Sequence, residues 1–307
     1  MPSERYYDDR DPSPKPSSVR RHILTEFMQR ENLDSSLITG AKGMVGSYFD
    51  FGLKTDIEEL DVTDLEKVMD VASRRKPKII VHLAAETDVD RCEREPDHAY
   101  RVNTIGTYNV ALACRRVRAK LVYVSTAGVF DGSKKEPYTE EDEPNPQNVY
   151  GRTKYLGEVM VRDLAPDYLI ARSCWMFGGG PGVDKKFVGK IIKQLAQSEI
   201  KVVNDKMGSL TYGKDLARAI KQLLVQNRTG LFHLTNRGFC SRYEVAEQIV
   251  KILGANVKII PVDSTEFTLA ATRSASEAMA SKLDIMRDWR EALREYLLEE
   301  WKPCLKP

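Results

Sequence analysis

Continuous apolar runs alternate with longer amphipathic segments from residue 36 to about residue 172. The runs KIIVHLAA and KLVYVS lack a polar residue at every second position, as is typical of strands that are buried on both faces of a sheet. Turn residues and helical segments separate these runs, an alternation that predicts a parallel sheet covered by helices on both sides. The predicted strands lie near residues 36–39, 52–56, 78–83, 120–125 and 168–172.

Helical patterns fill the segments between these strands and continue through the rest of the chain. The predicted helices lie near residues 43–49, 64–75, 96–117, 148–164, 184–197, 213–226, 241–253 and 288–299. Short strands are expected between the last four of these helices. The pattern therefore predicts an α/β protein, with a doubly wound parallel sheet over residues 35–172 and a smaller, mixed α/β C-terminal lobe over residues 173–307.

Residues 1–34 are predicted to stand outside this fold as an N-terminal extension. Residues 1–19 mix charges with prolines and serines and cannot bury enough apolar surface to order themselves, so we expect a flexible tail. The next segment, SVRRHILTEFMQREN, could form one amphipathic helix, with Ile23 and Phe27 on its apolar stripe. A targeting presequence is a weaker interpretation, because acidic residues interrupt the basic face.

Charge and composition disfavour several classes of protein. The 307 residues include 47 Lys and Arg against 45 Asp and Glu, a net charge of +2, so we expect no nucleic-acid or membrane partner. No apolar stretch is long enough to span a bilayer, and the polar N-terminus does not resemble a signal peptide. The five cysteines are scattered without metal or redox spacing. We therefore expect no metal, reduced thiols and a cytoplasmic location.

A glycine-rich turn follows the first predicted strand. In the string LITGAKGMVG a strand runs into a turn and then a helical segment, the context in which backbone N–H groups approach a pyrophosphate. Gly40, Gly43 and Gly46 follow G-x-x-G-x-x-G spacing instead of the usual G-x-G-x-x-G, so a tight turn with close packing is the alternative. We expect a Rossmann-type dinucleotide-binding domain over residues 35–172 and a mainly substrate-binding lobe after it.

Acidic residues after the second strand are candidates for binding the adenosine half of the cofactor. Asp56 could accept hydrogen bonds from the ribose and repel a 2′-phosphate, which favours NADH. Lys42 and Lys54 could instead host that phosphate, so NADH and NADPH both stay open, and Asp56 as a solvated loop charge is the alternative. Asp61 and Val62 are expected to border the adenine.

The pair Tyr150 and Lys154 carries the predicted chemistry. Four residues apart on a helix, the two side chains share one face, where an ammonium can lower the pKa of a phenol. Tyr150 would then donate a proton to a carbonyl oxygen while a reduced nicotinamide delivers hydride to the carbon. Thr126, at the end of the buried strand, would hydrogen-bond that oxygen, and Lys154 would also hold the nicotinamide ribose. The sequence predicts a nicotinamide-dependent carbonyl reductase.

Residues around the third strand complete the predicted cofactor site. Small Ala84 and Ala85 would leave room for the cofactor, with Thr87 at the rim. Asn103, among apolar neighbours in the following helix, could bind backbone or an ordered water behind Lys154, and a position on the helix surface is the alternative. His82 is interpreted as a packed core histidine.

These motifs together resemble those of a known family. The strings TGAKGMVG, DVTD, HLAAETDVD, STAGVFDG and YGRTK are similar to the extended short-chain dehydrogenase/reductase family of nucleotide-sugar enzymes, from about Ser36 to the end of the chain. Within it, RSCWMFG, VVNDKMGSLTYGKDLA, LFHLTNRGFCSRYEVAEQI and DWREALREYL are most similar to the dTDP-4-dehydrorhamnose reductases.

The resemblance implies an activity and a set of residues. It implies NAD(P)H-dependent reduction of the 4-keto group of a nucleotide-linked 6-deoxysugar, most simply dTDP-4-dehydro-L-rhamnose to dTDP-L-rhamnose, by a homodimer. The implied catalytic residues are Thr126, Tyr150 and Lys154, and Trp175 is implied beside the sugar. The residues implied around the cofactor are Gly43, Met44, Val45, Asp61, Val62, Ala85 and Thr87.

Departures from the family pattern bear on the substrate. Ala127 and Gly128 follow Thr126, where the family usually has Asp-Tyr, which removes polar groups beside the sugar. Arg273 could grip a diphosphate with its fork of donors, or be a surface arginine. Trp175 could stack on a sugar or base, or cover the core. Two rival functions stay open: a reductase or epimerase of another nucleotide sugar, and a non-catalytic NAD(P)-binding regulatory subunit.

Overall fold

The computed structural model describes residues 31–305. The predicted flexible tail and most of the predicted amphipathic helix lie outside the described residues. Residues 31–34 are helical, and the buried Leu33 packs against the core beside Phe49 and Phe51. Within the described range, no helix is long and apolar enough to cross a membrane.

The strands form one large sheet and three small ones. The strands are β1 Leu37–Thr39, β2 Leu53–Lys54, β3 Ile79–His82, β4 Lys120–Thr126, β5 Asp167–Ser173, β6 Met176–Phe177, β7 Glu199–Val203, β8 Met207–Gly208, β9 Thr211–Tyr212, β10 Gly230–His233, β11 Cys240–Ser241, β12 Lys258–Val262 and β13 Ser276–Glu277. The large sheet has six parallel strands in the order β10-β5-β4-β3-β1-β2. All five predicted strands of the doubly wound sheet are therefore confirmed.

Helices cover this sheet. They are α1 Leu65–Arg75, α2 Val89–Arg94, α3 Pro96–Tyr100, α4 Gly106–Val117, α5 Val149–Leu164, α6 Gly180–Val183, α7 Phe187–Ile192, α8 Gly213–Val225, α9 Arg242–Leu253 and α10 Trp289–Tyr296. The predicted helix over residues 96–117 is confirmed as a continuous helical segment, in which a π-helical turn, Arg101–Ile105, joins α3 to α4. Such turns often occur at functional sites, and this one carries Asn103.

The predicted helix over residues 43–49 is wrong. Only a short 3₁₀ turn, Gly46–Tyr48, follows the glycine-rich segment. Three glycines within seven residues disfavour a helix, and Gly46 lies so close to Ala41 that a Cβ there would collide with its backbone. Phe49 and Phe51 then enter the core, so the connection to β2 is packed although it is not helical.

The chain returns to the large sheet after forming part of the second unit. Strand β10 pairs with β5 along its whole length, and α8 buries Leu216 and Ile220 in the core under the sheet. A separate core around Tyr212 and Trp289 joins the small sheets to α7, α9 and α10. The division into lobes at residue 173 stays a prediction. The sixth strand of the large sheet, β10, is not predicted from the sequence, because periodicity does not reveal which sheet a short strand joins.

His82 is a packed core histidine, as predicted. Its ring is 1% exposed and lies between two threonine hydroxyls, with 2.8 Å from Nδ1 to Thr39 and 3.1 Å from Nε2 to Thr107. Burial lowers the pKa of His82 to about 3, and the positive charge of Lys154 adds to this effect. The ring is therefore neutral in the folded state near neutrality.

This histidine predicts acid sensitivity. Below pH 6.5 the unfolded chain takes up a proton at residue 82 and the folded chain does not, so stability falls by about 1.4 kcal/mol per pH unit until pH reaches the folded-state value. We expect His82→Gln, which keeps polar atoms but cannot titrate, to reduce that slope between pH 6 and pH 4. Urea unfolding at each pH measures it, and identical slopes in the two proteins would contradict the assignment.

Candidate active site

The sheet reverses its winding between β1 and β3, and in α/β folds the crevice outside the strand ends at such a switch point is where ligands bind. Gly40, directly after β1, has a φ of +66°, and a Cβ there would lie 2.5 Å from the Ala84 nitrogen after β3. Gly43 faces open space, since a Cβ would meet only the Gly40 oxygen, at 3.3 Å. Bare backbone at the carboxyl end of a switch-point strand is where α/β folds bind nucleotide phosphates, so this turn fits a dinucleotide.

Two residues of the turn pack against other parts of the fold. Val45 is buried in the core, and Met44 lies half-buried beside the first residue of α8, Gly213. Val62 is also buried, held by the Asn109 amide at 3.0 Å, and Gly106 lets α4 approach it closely. These residues therefore shape the walls of the crevice mainly through backbone and packing.

The acidic candidates are engaged in local hydrogen bonds. The Asp56 carboxylate accepts from the backbone N–H of Lys42 at 2.8 Å and of Ile57 at 2.9 Å, so it ties the end of β2 to the glycine turn. The Lys42 ammonium lies 2.8 Å from the Glu58 carboxylate. Asp61 accepts from the N–H and hydroxyl of Thr63. The rim that would face the adenosine thus carries several carboxylates, and Lys54 lines the same pocket as Glu59.

Two glycines bring α5 onto the end of β4. A Cβ at Gly151 would collide with the backbone oxygen of Gly128, and one at Gly157 would collide with the Tyr123 hydroxyl. The first turn of α5 is fixed by its cap, because the Asn148 side chain accepts from the Gly151 N–H at 2.8 Å. This close approach places Tyr150 beside the end of β4, and with it Thr126.

Tyr150 and Thr126 lie together, as the sequence predicts. A hydrogen bond between the two hydroxyl groups lowers the pKa of Tyr150, but burial, the larger effect, raises that pKa well above its usual value. The prediction that the Lys154 ammonium lowers the Tyr150 pKa is not met in this structure. The reason is desolvation of both groups: the phenol stays neutral and hydrogen-bonded, which suits a proton donor.

Lys154 is itself deeply buried, with 3% of its surface exposed. Its ammonium lies 4.1 Å from the centre of the Tyr123 ring. Burial lowers the pKa of Lys154 to about 7, and the negative charge of Glu158, one helical turn further along α5, opposes that effect. The amine therefore changes charge near neutrality, in the range where a small change in surroundings decides its state.

A buried ion pair lies under the catalytic helix. Arg172, on β5, donates to both oxygens of Glu158 at 2.8 and 2.7 Å, and both side chains are at most 1% exposed. The Ser125 hydroxyl donates to the same carboxylate at 2.6 Å, and Arg162 adds a contact at 3.1 Å. This network links β4, β5 and α5, and its carboxylate keeps negative charge near Lys154.

Asn103 holds the loop after β3 in place through hydrogen bonds. Its amide accepts from the Glu86 N–H at 2.8 Å and donates to the Glu86 oxygen at 3.0 Å and to Thr153 of α5 at 3.0 Å. It is 1% exposed, so the alternative of a surface asparagine is excluded. Beside it, the Lys186 ammonium donates to the backbone oxygen and hydroxyl of Thr87 at 2.7 and 3.1 Å. Ala84 and Ala85, which precede Glu86 in the same loop, are half-buried.

The far wall of the cleft comes from the C-terminal half. Trp175 has a φ of +33°, and its indole N–H donates to Glu277 at 2.7 Å. Arg273 donates to Asp90 at 2.8 Å and to the Ala271 oxygen at 2.8 Å, so its fork is already engaged. Trp175 packs against the cluster that contains Ala127, which directly follows Thr126, so this wall lies beside the end of β4.

Sequence reasoning missed several of these residues. Glu158 could have been found, since it lies four residues after Lys154 on the same helical face. Lys186 and Glu277 carried no such signal, because they reach the cleft only through the packing of the C-terminal half against the sheet.

Known proteins resemble this chain over most of its length. Residues 35–301 match the family described as RmlD substrate binding domain. The chain is 37% identical to the spore coat polysaccharide biosynthesis protein SpsK of Bacillus subtilis, covering 87% of this chain and 98% of that protein. It is 34% identical to a dTDP-4-dehydrorhamnose reductase of Mycolicibacterium smegmatis, covering 93% and 90%. A solved dTDP-4-dehydrorhamnose reductase of Bacillus anthracis in complex with NADP has a TM-score of 0.82 and 36% identity, covering 86% of this chain and 98% of that chain.

The buried amine of Lys154 predicts a rise of stability with pH. Between pH 7 and about pH 10 the unfolded chain holds a proton at residue 154 that the folded chain has lost, so the free energy of unfolding rises by up to about 1.4 kcal/mol per pH unit. We expect Lys154→Met to remove this rise in urea unfolding at pH 7, 8 and 9.

Lys201→Met is the matched control, because that side chain is 58% exposed. It should leave the wild-type pH dependence unchanged. A Lys154→Met protein whose stability rises with pH as steeply as wild type would show that residue 154 is charged in the fold throughout this range.

Proposed function

Since the chain belongs to the RmlD substrate binding domain family, we propose that it is an NAD(P)H-dependent reductase of the 4-keto group of a nucleotide-linked 6-deoxysugar. The simplest substrate is dTDP-4-dehydro-L-rhamnose, which would be reduced to dTDP-L-rhamnose. The observation that carries the proposal is the hydrogen-bonded pair of Thr126 and Tyr150 hydroxyls, which lie with Lys154 beside a glycine turn at the switch point of the sheet.

The cofactor, when bound, supplies hydride to the sugar carbonyl carbon. Gly40, Gly43 and Gly46 are the residues that would lie against its pyrophosphate, because the turn that they form follows β1 at the switch point of the sheet. Ala84 and Ala85 would border the dinucleotide, and Thr87 and Asn103 would fix the adjoining loop. Lys154 would donate to the nicotinamide ribose from its place on α5.

The proton for the new hydroxyl group would come from Tyr150. Burial keeps its phenol protonated, and Thr126 is close enough to donate to the same carbonyl oxygen and hold it against the phenol. The phenolate that is left would be stabilised by the protonated form of Lys154. Glu158 favours that charged form of Lys154.

The setting of this activity is also a proposal. We propose a cytoplasmic location, supported by four buried, unpaired cysteines, Cys92, Cys114, Cys174 and Cys240, which suit a reducing compartment. A homodimer is proposed from the family resemblance alone. The nucleotide sugar is the proposed small-molecule partner.

Removing the proposed acid tests the function. We expect Tyr150→Phe to lower kcat by about 100-fold or more, because a positioned acid contributes that much to proton transfer, while NADPH binding stays within about twofold. The measurement is the loss of absorbance of reduced nicotinamide with dTDP-4-dehydro-L-rhamnose. Tyr155→Phe, on the same helix, is the matched control and should keep full activity.

The same assay distinguishes the rivals. A regulatory subunit would bind NADPH and show no turnover with any of several nucleotide sugars. Turnover of a different nucleotide sugar with a higher kcat/KM than that of dTDP-4-dehydro-L-rhamnose would support the same reaction on another substrate. Unchanged kcat in Tyr150→Phe would exclude this tyrosine as the acid.

The acidic rim predicts which cofactor is preferred. Asp56, Glu58 and Glu59 lie beside the glycine turn, and Asp56 accepts directly from the N–H of Lys42, so we expect NADH to be used at least as well as NADPH. Asp56→Asn keeps an acceptor for the Lys42 N–H and removes one charge. It should raise kcat/KM for NADPH relative to NADH by about fivefold, given about 1 kcal/mol for a near-surface charge pair.

Asp50→Asn is the control, because Asp50 is exposed and paired with Lys221. It should leave the ratio of kcat/KM values unchanged. An equal ratio in wild type and Asp56→Asn would remove Asp56 from the cofactor site.

A further inference from the structure

Arg242 is held in the cleft by aromatic rings. It is the first residue of α9, and the centre of its guanidinium lies 3.8 Å from the Trp175 ring and 4.7 Å from the Phe187 ring. Contact with aromatic faces favours a cation without neutralising it. A planar guanidinium with rings against it keeps its N–H donors at its edge, so the donors stay free for a ligand in the plane of the fork.

These donors have no partner within residues 31–305. The other buried or half-buried arginines near the two cores are paired: Arg172 with Glu158, Arg273 with Asp90 and Arg287 with Asp215. Arg242 makes neither an ion pair nor a side-chain hydrogen bond in the described part of the chain, although its side chain is half-buried. None of the Arg242 nitrogens is among the fully buried atoms that lack a partner, so its unused donors reach the surface and are open to a ligand.

The charges around Arg242 lead to the same conclusion. Burial lowers its pKa, Glu277 raises it and Arg273 lowers it, so a second guanidinium is near enough to repel it. Glu277 attracts Arg242 but is hydrogen-bonded to the Trp175 indole at 2.7 Å instead. A guanidinium that no carboxylate pairs with in the described residues favours an oxyanion as its ligand.

The position of Arg242 relative to the reacting groups selects the ligand. Arg242 lies against the Trp175 ring, and Trp175 packs against the cluster that contains Ala127, the residue directly after Thr126. The guanidinium is therefore separated by one aromatic ring from the end of β4, where Thr126 and Tyr150 lie. In a nucleotide sugar, the group next to the sugar ring is the diphosphate.

We propose that Arg242 binds the diphosphate of the nucleotide-sugar substrate with its two free edge donors. This rests on the proposed function, because it takes the substrate of that reaction as the ligand. Trp175 and Phe187 hold the plane of the guanidinium, and Glu277 fixes Trp175 in turn. Arg242 is thus a residue of the substrate site that sets affinity for the diphosphate, and Tyr150 acts on the sugar.

Calorimetric titration of the full chain with NADP⁺ present tests the proposal. The probes are dTDP, UDP and thymidine, and the variants are Arg242→Met and Arg242→Lys. We expect Arg242→Met to weaken binding of the nucleoside diphosphate by about 10- to 100-fold, as loss of a bidentate charged contact should, and to leave thymidine binding unchanged. Arg242→Lys keeps the charge without the planar fork of donors. It should bind the nucleoside diphosphate more tightly than Arg242→Met and more weakly than wild type.

Arg290→Met is the matched control. That guanidinium also lies over a tryptophan, 4.4 Å from the Trp289 ring, but its side chain is 53% exposed and lies near Asp288. It should bind dTDP as wild type does. An NADP⁺ dissociation constant equal to that of wild type shows that each variant is folded, and if Arg242→Met does not fold, Arg242→Lys decides the comparison.

Two results would overturn the inference. One is wild-type affinity of Arg242→Met for the diphosphates. The other is equal weakening of dTDP and thymidine binding, which would make Arg242 a packing residue. Failure of the proposed function is a different result: wild type would bind dTDP through Arg242 but oxidise no NAD(P)H with any nucleotide sugar.

Discussion

The site depends on how closely α5 approaches the end of β4. Glycine at residues 151 and 157 lets the helix backbone contact Gly128 and the Tyr123 hydroxyl, where any Cβ would collide. Since Tyr150 and Lys154 are on this helix and Thr126 ends this strand, that one contact fixes the distances among the three groups. The positions of the proposed catalytic groups therefore depend on two residues that have no side chain.

Buried charge is the second constraint. Glu158 lies within one turn of Lys154 and is held by Arg172 and Ser125, so a carboxylate is kept in the core where it would otherwise be very costly. Its charge opposes the desolvation of Lys154, whose pKa stays near 7. The Tyr150 phenol, by contrast, stays protonated because burial dominates. One environment thus holds an acid and an amine in states that suit transfer of a proton to a carbonyl oxygen.

Much of this could be predicted from the sequence, for identifiable reasons. Runs such as KLVYVS must be buried on both faces, so five of the six strands of the large sheet and the place of Thr126 follow from pattern alone. The Tyr150–Lys154 pair followed from helical spacing. The 3₁₀ turn after Gly46 did not, because the glycines that favour phosphate binding also disfavour the expected helix. Arg242 and Glu277 could not be predicted from the sequence, because only the packing of the C-terminal half against the sheet brings them to this site.

The most direct test of the central claim follows the hydride itself. Wild-type protein would be incubated with dTDP-4-dehydro-L-rhamnose and NAD(P)H that carries deuterium at the transferable C4 position, and the product would be examined by NMR and mass spectrometry. The account predicts one deuterium at C4 of the sugar, on a single face, in dTDP-L-rhamnose. Oxidised cofactor without deuterium in the sugar, or bound cofactor and sugar without reaction, would contradict it.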